Sequence, residues 1–426
     1  MDMTNMILGA VVTIVVVTLV LVALLLVIKA KLTPSGTVKI DINDGKKVLD
    51  VPQGGDLMHT LADQGIFLPS ACGGKANCGQ CKVRVLEGVG NILPTETGFF
   101  SRKQIKDFWR LGCQVKIKDN LKIAVPESAL SVKKLECEVI SNKNVATFIK
   151  EFTVRLPEGE NIEFKSGEYI QIDIPEYEAD FSDMDVDDIY KGDWEKYGIT
   201  SLKYKNTVPT IRAYSMASYP AEKNVIKLNV RIATPPFDRT QPKGVFKFVP
   251  GVPPGIASTY VFSRKPGDKV MISGPYGEFL LPDNDPDTQE YIFVGGGAGM
   301  APLRSHIMHL FKTLKTKKPV RFFYGARALV EAFYLEDFAE IEKEFPNFHF
   351  TLALDRPDPA ADAAGVKYTP GFVHNVMNET YLKNHEAPED IKYFMCGPPM
   401  MTKCVNELLD SLGVAPESVF YDNFGG

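Results

Sequence analysis

Three cysteines, Cys72, Cys78 and Cys81, are spaced C-x5-C-x2-C within Ser70-Ala71-Cys72-Gly73-Gly74-Lys75-Ala76-Asn77-Cys78-Gly79-Gln80-Cys81, and a fourth stands at Cys113. Glycine and small residues between the thiols leave a loop able to wrap closely round a compact inorganic centre. Gly73, Gly74 and Gly79 permit the positive φ angles that turn backbone N–H groups toward bridging sulfides. Four thiolates, one close set and a distant partner, suit a [2Fe-2S] cluster. The rival occupant is structural zinc, which usually shows two C-x2-C knuckles; only Cys78 and Cys81 have that spacing here. A disulfide framework fits less well, because seven cysteines are an odd count and the nucleotide-type motifs downstream argue for a reducing compartment.

A chain of 426 residues has material for about two to four domains. Its 48 basic and 53 acidic residues give a formal charge of −5, and no Lys/Arg block is interleaved with aromatics, so nucleic acid is not an expected partner. From Met6 to Ile28 the chain carries no charge and only Thr13 and Thr18 as polar side chains. As helix this stretch would be about 34 Å long, enough to cross a bilayer core. Asp2 precedes it, Lys29 and Lys31 follow, and no small-residue cleavage site is evident. An uncleaved single-pass anchor is expected, with everything after it in the cytoplasm.

After the anchor and linker (1–35), residues 36–130 are expected to form one domain. Thr37–Ile42 alternates like a strand, Asp44-Gly45 turns, and Lys47–Val51 returns as a hairpin. A helix over Asp56–Gln64, the cysteine loop, a strand from Lys82 and another at Val115–Lys118 follow. This order resembles the β-grasp fold of ferredoxins, and the cysteine spacing resembles the plant-type ferredoxin pattern with one extra residue in the first gap. Residues 131–285 read as short strands broken by Gly and Pro, an antiparallel barrel. Residues 176–208 interrupt it as an acidic insertion carrying Trp194, Tyr197 and Tyr204, read as a solvated loop or as a docking surface for a partner subunit. Lys265–Asp268 and Gly274–Gly277 read as turns of the barrel. From 286 to 426 the pattern alternates α/β, a parallel sheet with helices on its faces.

Several motifs carry chemistry. On the strand Thr210–Ser215, Arg212 and Tyr214 face one way, suiting a flavin: guanidinium for its pyrophosphate, phenol against its ring. Gly255-Ile256-Ala257-Ser258 is a glycine-led turn opening a helix, whose N–H groups could receive phosphate. Gly295-Gly296-Gly297-Ala298-Gly299 follows a buried strand, where a dinucleotide pyrophosphate should lie; no G-x-G-x-x-G fits, so tight packing alone is the competing explanation. Cys396-Gly397-Pro398-Pro399 sits at a strand's carboxyl end, on the ligand side of such a sheet, although a buried thiol is the commoner fate of a free cysteine; Cys137 and Cys404 are assigned that fate. The terminal Tyr421–Gly426 reads as a frayed tail.

In this order R-x-Y-S, G-x-x-S, the glycine run and C-G-P-P resemble the ferredoxin–NADP+ reductase superfamily over residues 131–426. With the anchor and the cysteine domain added, the whole chain resembles the F-subunit family of the sodium-translocating NADH:quinone oxidoreductase, Nqr. The resemblance implies a multidomain chain: one transmembrane helix, an α+β ferredoxin domain, an antiparallel FAD barrel and an α/β NADH domain. It implies that Cys72, Cys78, Cys81 and Cys113 hold the cluster, and that Arg212 reaches the FAD pyrophosphate. Tyr214 and Ser215 would contact the isoalloxazine, and Gly255 to Ser258 the FAD phosphate. Gly295, Gly296, Gly297 and Gly299 would take the NADH pyrophosphate. Cys396 and Gly397 would lie near the nicotinamide, and Phe424 over the flavin face. Ala257 departs from many superfamily members, which carry cysteine there. The implied activity is NADH oxidation through FAD and a 2Fe-2S cluster, feeding other membrane subunits through which quinone is reached, at a bacterial inner membrane. A reductase component of an oxygenase is the nearest rival, disfavoured by the apolar run. Glu331, near Arg327 after the second strand, leans toward NADH by repelling a 2′-phosphate.

Overall fold

A computed structural model describes residues 3–32, 36–70, 72–126, 129–130, 132–282 and 288–422. The chain divides into two compact units, Met1–Pro69 with Gly74–Ser131, and Ser70–Gly73 with Val132–Gly426.

In the first unit, α1 runs Met3–Leu32 as one helix. The side chains at 11–25 are exposed on every face, and its two hydroxyls turn inward: Thr13 donates to the Gly9 carbonyl and Thr18 to that of Ile14, 2.8 Å each. Among the described residues no helix is long and apolar enough to cross a membrane; the side chains described in α1 cover only about 22 Å of its length.

The expected hairpin forms from β1, Thr37–Ile42, and β2, Lys47–Pro52, with Ile40 opposite Leu49. Its turn takes positive φ at Asn43, Asp44 and Gly45, conformations that short polar side chains and glycine tolerate. Val38, Ile40 and Ile42 alternate inward, the period of a half-buried strand. Asp56 caps α2, Leu57–Asp63, by accepting the His59 N–H at 3.0 Å. Then come β3, Lys82–Glu87; α3, Arg102–Lys106, closed by a Ser101/Gln104 capping box; β4, Trp109–Leu111; and β5, Leu121–Ala124. Among the described residues these make a five-stranded sheet, β2-β1-β5-β3-β4. The strand expected at Val115–Lys118 does not form. That segment instead pairs with the entry to α2: Leu57 N–H donates to Val115 O at 2.8 Å and Ile117 N–H to Gly55 O at 3.0 Å.

The second unit opens with β6, Lys133–Ala146; β7, Ile149–Arg155; and β8, Tyr169–Ile174. The interruption at 176–208 is folded, against the solvated-loop expectation. A hairpin of β9, Tyr177–Asp180, and β10, Lys203–Asn206, encloses α4, Asp188–Lys196. Trp194 is fully buried, stacks on Phe262 at 6.0 Å and donates its indole N–H to Thr147 O at 2.7 Å. An apolar body and a satisfied polar tip fix the insertion to the barrel. β11, Thr210–Ser215; β12, Val225–Arg231; α5, Ile256–Ser263; and β13, Lys269–Tyr276, follow. The sheet order is β11-β8-β13-β6-β7-β12, and a Met216–Leu228 bridge joins its two outer strands into a barrel. Lys265–Asp268 is the expected turn. Gly274–Tyr276 is not: it continues β13, which pairs with both β6 and β8 across an irregularity.

The α/β half is a parallel sheet in the order β17-β16-β15-β14-β18-β19. Its strands are β14, Tyr291–Gly296; β15, Val320–Ala326; β16, Phe348–Leu354; β17, Thr369–Pro370; β18, Lys392–Cys396; and β19, Val419–Asp422. β14 is buried along its whole length, as a strand covered by helices on both faces must be. The helices that matter below are α6, Met300–Met308, extended by one π turn over His309–Thr313, α7, Leu335–Glu344, and α8, Pro399–Ser411. The tail read as frayed is ordered as β19 as far as Asp422; Phe424 lies outside the described residues.

Candidate redox site

Within the first unit, Cys81 and Cys113 bring their sulfurs to 3.4 Å. Both are buried, whereas Cys78 is half-buried. The contact is set by backbone: Gly112 N–H donates to Cys81 O at 2.7 Å and Met58 N–H to Gly112 O at 3.2 Å. The hydrogen bond with Cys113, then burial, raises the Cys81 thiol well above its ordinary value. Two touching thiols resist joint ionisation, and a cationic iron centre removes that resistance; the donor pair fits such a group. Gly79 holds φ +67°, and a Cβ there would stand 2.4 Å from Phe99 Cδ1, so glycine is required by both conformation and space. Among the described residues no three His, Cys, Asp or Glu converge as ligands of a single metal ion. Cys72, half-buried, falls in the segment Ser70–Gly73 that groups with the second unit.

In the second unit, β14 is the strand where the sheet order reverses: β15 lies to one side and β18 to the other. Ligands of open α/β sheets lie in the crevice beyond the strand ends at such a point. The glycine run and Cys396-Gly397 flank that crevice, with Gly295 in register with Cys396. A Cβ at Gly299 would stand 2.1 Å from the Cys396 carbonyl oxygen, and one at Gly397 would stand 3.0 Å from Gly296 N. Tight packing therefore explains Gly299 and Gly397. It does not explain Gly297, whose φ is +55° and whose Cβ would meet nothing nearer than Ile149 Cδ1 at 3.8 Å. Gly297 has room for a ligand to approach. At the carboxyl end of β18 a cavity of about 370 Å³ is lined in part by Gly397, Thr402, Lys403, Glu407, Tyr421 and Asp422.

Ser215, at the end of β11, donates its hydroxyl to Asp422 Oδ2 at 2.6 Å. Asp422 pairs with Cys396 across β18 and β19, and the Cys396 thiol donates to its carbonyl oxygen at 3.5 Å. Burial pushes the Asp422 carboxyl up, opposed by the Ser215 hydroxyl; burial and then Asp422 push the Cys396 thiol up. Asp422 thus joins two expected site residues from separate halves of the unit.

Tyr214 and Arg212 do share a face of β11. Burial raises the Tyr214 phenol, with Arg212 opposing. Arg212 Nη1 donates to Ile211 O at 2.7 Å and to Thr210 Oγ1 at 2.9 Å. Gly255 opens α5 without a side-chain cap, leaving its first amides for an anion. The Ser258 hydroxyl accepts the Ala233 N–H at 3.0 Å, so in this state it ties the preceding loop to the helix.

The family described as 2Fe-2S iron-sulfur cluster binding domain matches residues 40–118, that described as oxidoreductase FAD-binding domain residues 197–280, and that described as oxidoreductase NAD-binding domain residues 293–407. The F subunit of the Na(+)-translocating NADH-quinone reductase of Methylococcus capsulatus is 50% identical over 93% of this chain and 94% of its own. That of Yersinia enterocolitica is 49% identical over the same shares. The chain belongs to this F-subunit family. Among solved structures, a cytochrome P450 reductase from Amycolatopsis shares the fold with a TM-score of 0.61 at 22% identity, covering 91% of this chain and 99% of that one. A ferredoxin reductase of carbazole 1,9a-dioxygenase does so with 0.56 at 20%, covering 91% and 98%.

For this member of the F-subunit family, sequence reasoning missed Asp422 and Arg304. The acid of Tyr421-Asp422 was visible, but nothing local said that the terminus enters a sheet. Arg304 is buried in α6, the helix that starts at the glycine run. Its Nη1 donates to Ala217 O at 2.7 Å and to Glu222 Oε2 at 3.1 Å, and its Nε to Asp337 Oδ2 at 2.8 Å. Burial disfavours its charge, but Glu222 and Asp337 outweigh burial and raise it. Ser305 adds a bond to Ser218 O at 2.6 Å. The dinucleotide-side helix is thereby fastened just beyond Ser215. Glu331, expected to repel a 2′-phosphate, has its carboxylate on Thr147, bonded to the hydroxyl at 2.5 Å and the N–H at 3.3 Å. Cys137 is buried, and burial pushes its thiol up to about 12; Cys404, assigned the same fate, is only half-buried.

Proposed function

We infer that the chain oxidises NADH as the electron-input subunit of a sodium-translocating NADH:quinone reductase, passing electrons through FAD and a 2Fe-2S cluster to partner subunits. The observation that carries this is the meeting of Ser215, Cys396 and Asp422 at the carboxyl ends of β18 and β19, with the glycine run leaving the carboxyl end of the neighbouring β14. Bound FAD supplies the chemistry that joins the two ends, accepting a hydride's electron pair and releasing it singly, which a cluster can carry. The chain's own residues position and insulate. Arg212 and the first amides of α5 would hold the FAD pyrophosphate, and Tyr214 would lie against the isoalloxazine. Gly297 would admit the NADH pyrophosphate, and the clamp from α6 to residues 217–218 would hold the dinucleotide side of the site in place for hydride transfer. A protonated Cys396 keeps negative charge away from the nicotinamide, and Asp422 orients the Ser215 hydroxyl. Cys72, Cys78, Cys81 and Cys113 would hold the cluster.

We assign α1 the role of a single-pass anchor in the inner membrane, with the remaining domains cytoplasmic. Thirty helical residues are about 45 Å long, and both threonines satisfy their hydroxyls within the helix, as a hydrocarbon surrounding demands. The run from Met6 to Ile28 has no ionisable residue, so sodium moves through partner subunits. The test is to mix the full chain with NADH and follow flavin absorbance together with electron paramagnetic resonance. Flavin bleaching with a reduced [2Fe-2S] signal is expected; zinc at the thiols, or a flavin that NADH leaves oxidised, would overturn the assignment.

A further inference from the structure

Close to the fourth cysteine, Glu96 and Arg110 form an ion pair inside the first unit. Glu96 is fully buried, and the Arg110 side chain is 8% exposed. The guanidinium grips the carboxylate through Nε at 3.0 and 3.1 Å and through Nη2 at 2.7 Å, and its Nη1 donates to Gly90 O at 2.9 Å. The carboxylate also accepts two backbone N–H groups, Leu111 at 2.8 Å and Leu93 at 3.0 Å. Every oxygen and nitrogen of the pair is thus engaged.

Stability alone is a weak reason to bury such a pair, because desolvation commonly cancels the attraction and apolar side chains of equal volume serve as well. Its location supplies another reason. Leu111 precedes Gly112, whose N–H is held by Cys81 O at 2.7 Å, and Cys113 follows with its sulfur 3.4 Å from that of Cys81. The residues beside Glu96 converge on the same loop: Thr95 Oγ1 donates to Gln114 Oε1 at 3.1 Å, and Phe99 lies directly over Gly79.

We propose that Glu96 and Arg110 are positioning residues for the cluster. Their pairing fixes Leu111–Cys113 against Cys81 and keeps the net charge beside the cluster at zero, so breaking it moves the reduction potential in a direction set by the charge left behind. The proposal rests on the cysteine assignment above. Potentials of such clusters follow local net charge and hydrogen bonding; a stranded cation favours the added electron and a stranded anion opposes it.

The test is a redox titration of the full chain by electron paramagnetic resonance, in Glu96→Gln, Arg110→Met and the double variant. Glu96→Gln should raise the reduced-to-oxidised ratio at a fixed potential by about tenfold, equivalent to about 59 mV for one electron; Arg110→Met should lower it by about as much. The double variant should return to the parent value. Shifts of the two single variants in the same direction, or no shift in either, would overturn the proposal, since a merely structural pair has no reason to give opposite signs. If one single variant does not fold, the sign of the other decides; if neither folds, Glu96→Ala and Arg110→Gln, which leave the same single charges, are titrated in their place and read by the same signs. A parent chain without a [2Fe-2S] signal would instead defeat the cysteine assignment, which keeps the two failures apart.

Discussion

At the scale of single residues, burial decides which groups are charged. Lys150 is 1% exposed with its ammonium over the Phe262 ring at 5.3 Å, and burial pulls its amine down to about 8. The folded value lies below the unfolded one, so at neutral pH the lysine costs stability, and the cost fades as pH rises from about 8 to about 10.5. Lys150→Met should therefore stabilise the second unit at pH 7 by on the order of 1–3 kcal/mol, with the gain gone above about pH 10.5; thermal unfolding across that range checks it. Asp422 has the opposite sign: its folded value is raised, so the protonated form is favoured and stability falls as pH rises through that value. Asp422→Asn should raise the melting midpoint at pH 7 and leave it nearly unchanged at pH 4. In catalysis, Ser215→Ala should slow flavin reduction by NADH by about 10²-fold in stopped flow while NADH affinity holds, as expected for loss of one positioned donor at a reacting centre.

At the scale of elements, the 176–208 insertion shows how packing overrides a local pattern. Its acids and irregular spacing read as solvated, but Phe181, Tyr190, Trp194 and Ile199 turn into the barrel core. Trp194→Ala should cost about 3–5 kcal/mol, measured by denaturant unfolding followed through flavin fluorescence. Deleting the insertion would uncover the barrel, so a docking role is better tested by changing its outward acids. The hairpin β1–β2, the barrel strands β6, β7, β8 and β11, the sheet strands β14, β15, β16 and β18 and the glycine-led start of α5 were legible, because alternation and turn chemistry act within a few residues; β12, β17 and the course of β13 through Gly274–Tyr276 were not. The missing strand at Val115–Lys118 was not: its alternation was real, but its hydrogen-bond partners are Gly55 and Leu57, far back in the chain at the entry to α2, and such context overrides strand propensity. β19 was invisible for the same reason, since Cys396 and Asp422 meet only through sheet pairing.

At the scale of the whole molecule, the three cofactor-binding domains divide one task, and the steps should come apart under mutation. Cys113→Ser should abolish the cluster's resonance signal yet leave flavin bleaching by NADH within about twofold, since the site proposed for hydride transfer is built from residues of the second unit. Removing residues 1–33 should leave both spectra intact and abolish sedimentation with membranes, the outcome expected of the anchor role proposed for α1, which would contribute attachment and no redox group.

The amino-acid sequence by itself determined the family, its cofactors and the ferredoxin and reductase folds, and it named the residues expected at the site and the uncharged run from Met6 to Ile28, since cysteine spacing, turn glycines and hydrophobic period are properties of short stretches. Tertiary structure alone decided that Asp422 joins Ser215 to Cys396, that Arg304 fastens α6 to Ala217 and Glu222 beyond β11, and that Glu96 meets Arg110 and the Leu111 N–H two residues before Cys113. Those contacts unite groups distant in the chain, and which buried charge finds which partner depends on how sheets and helices close around it, not on any local pattern.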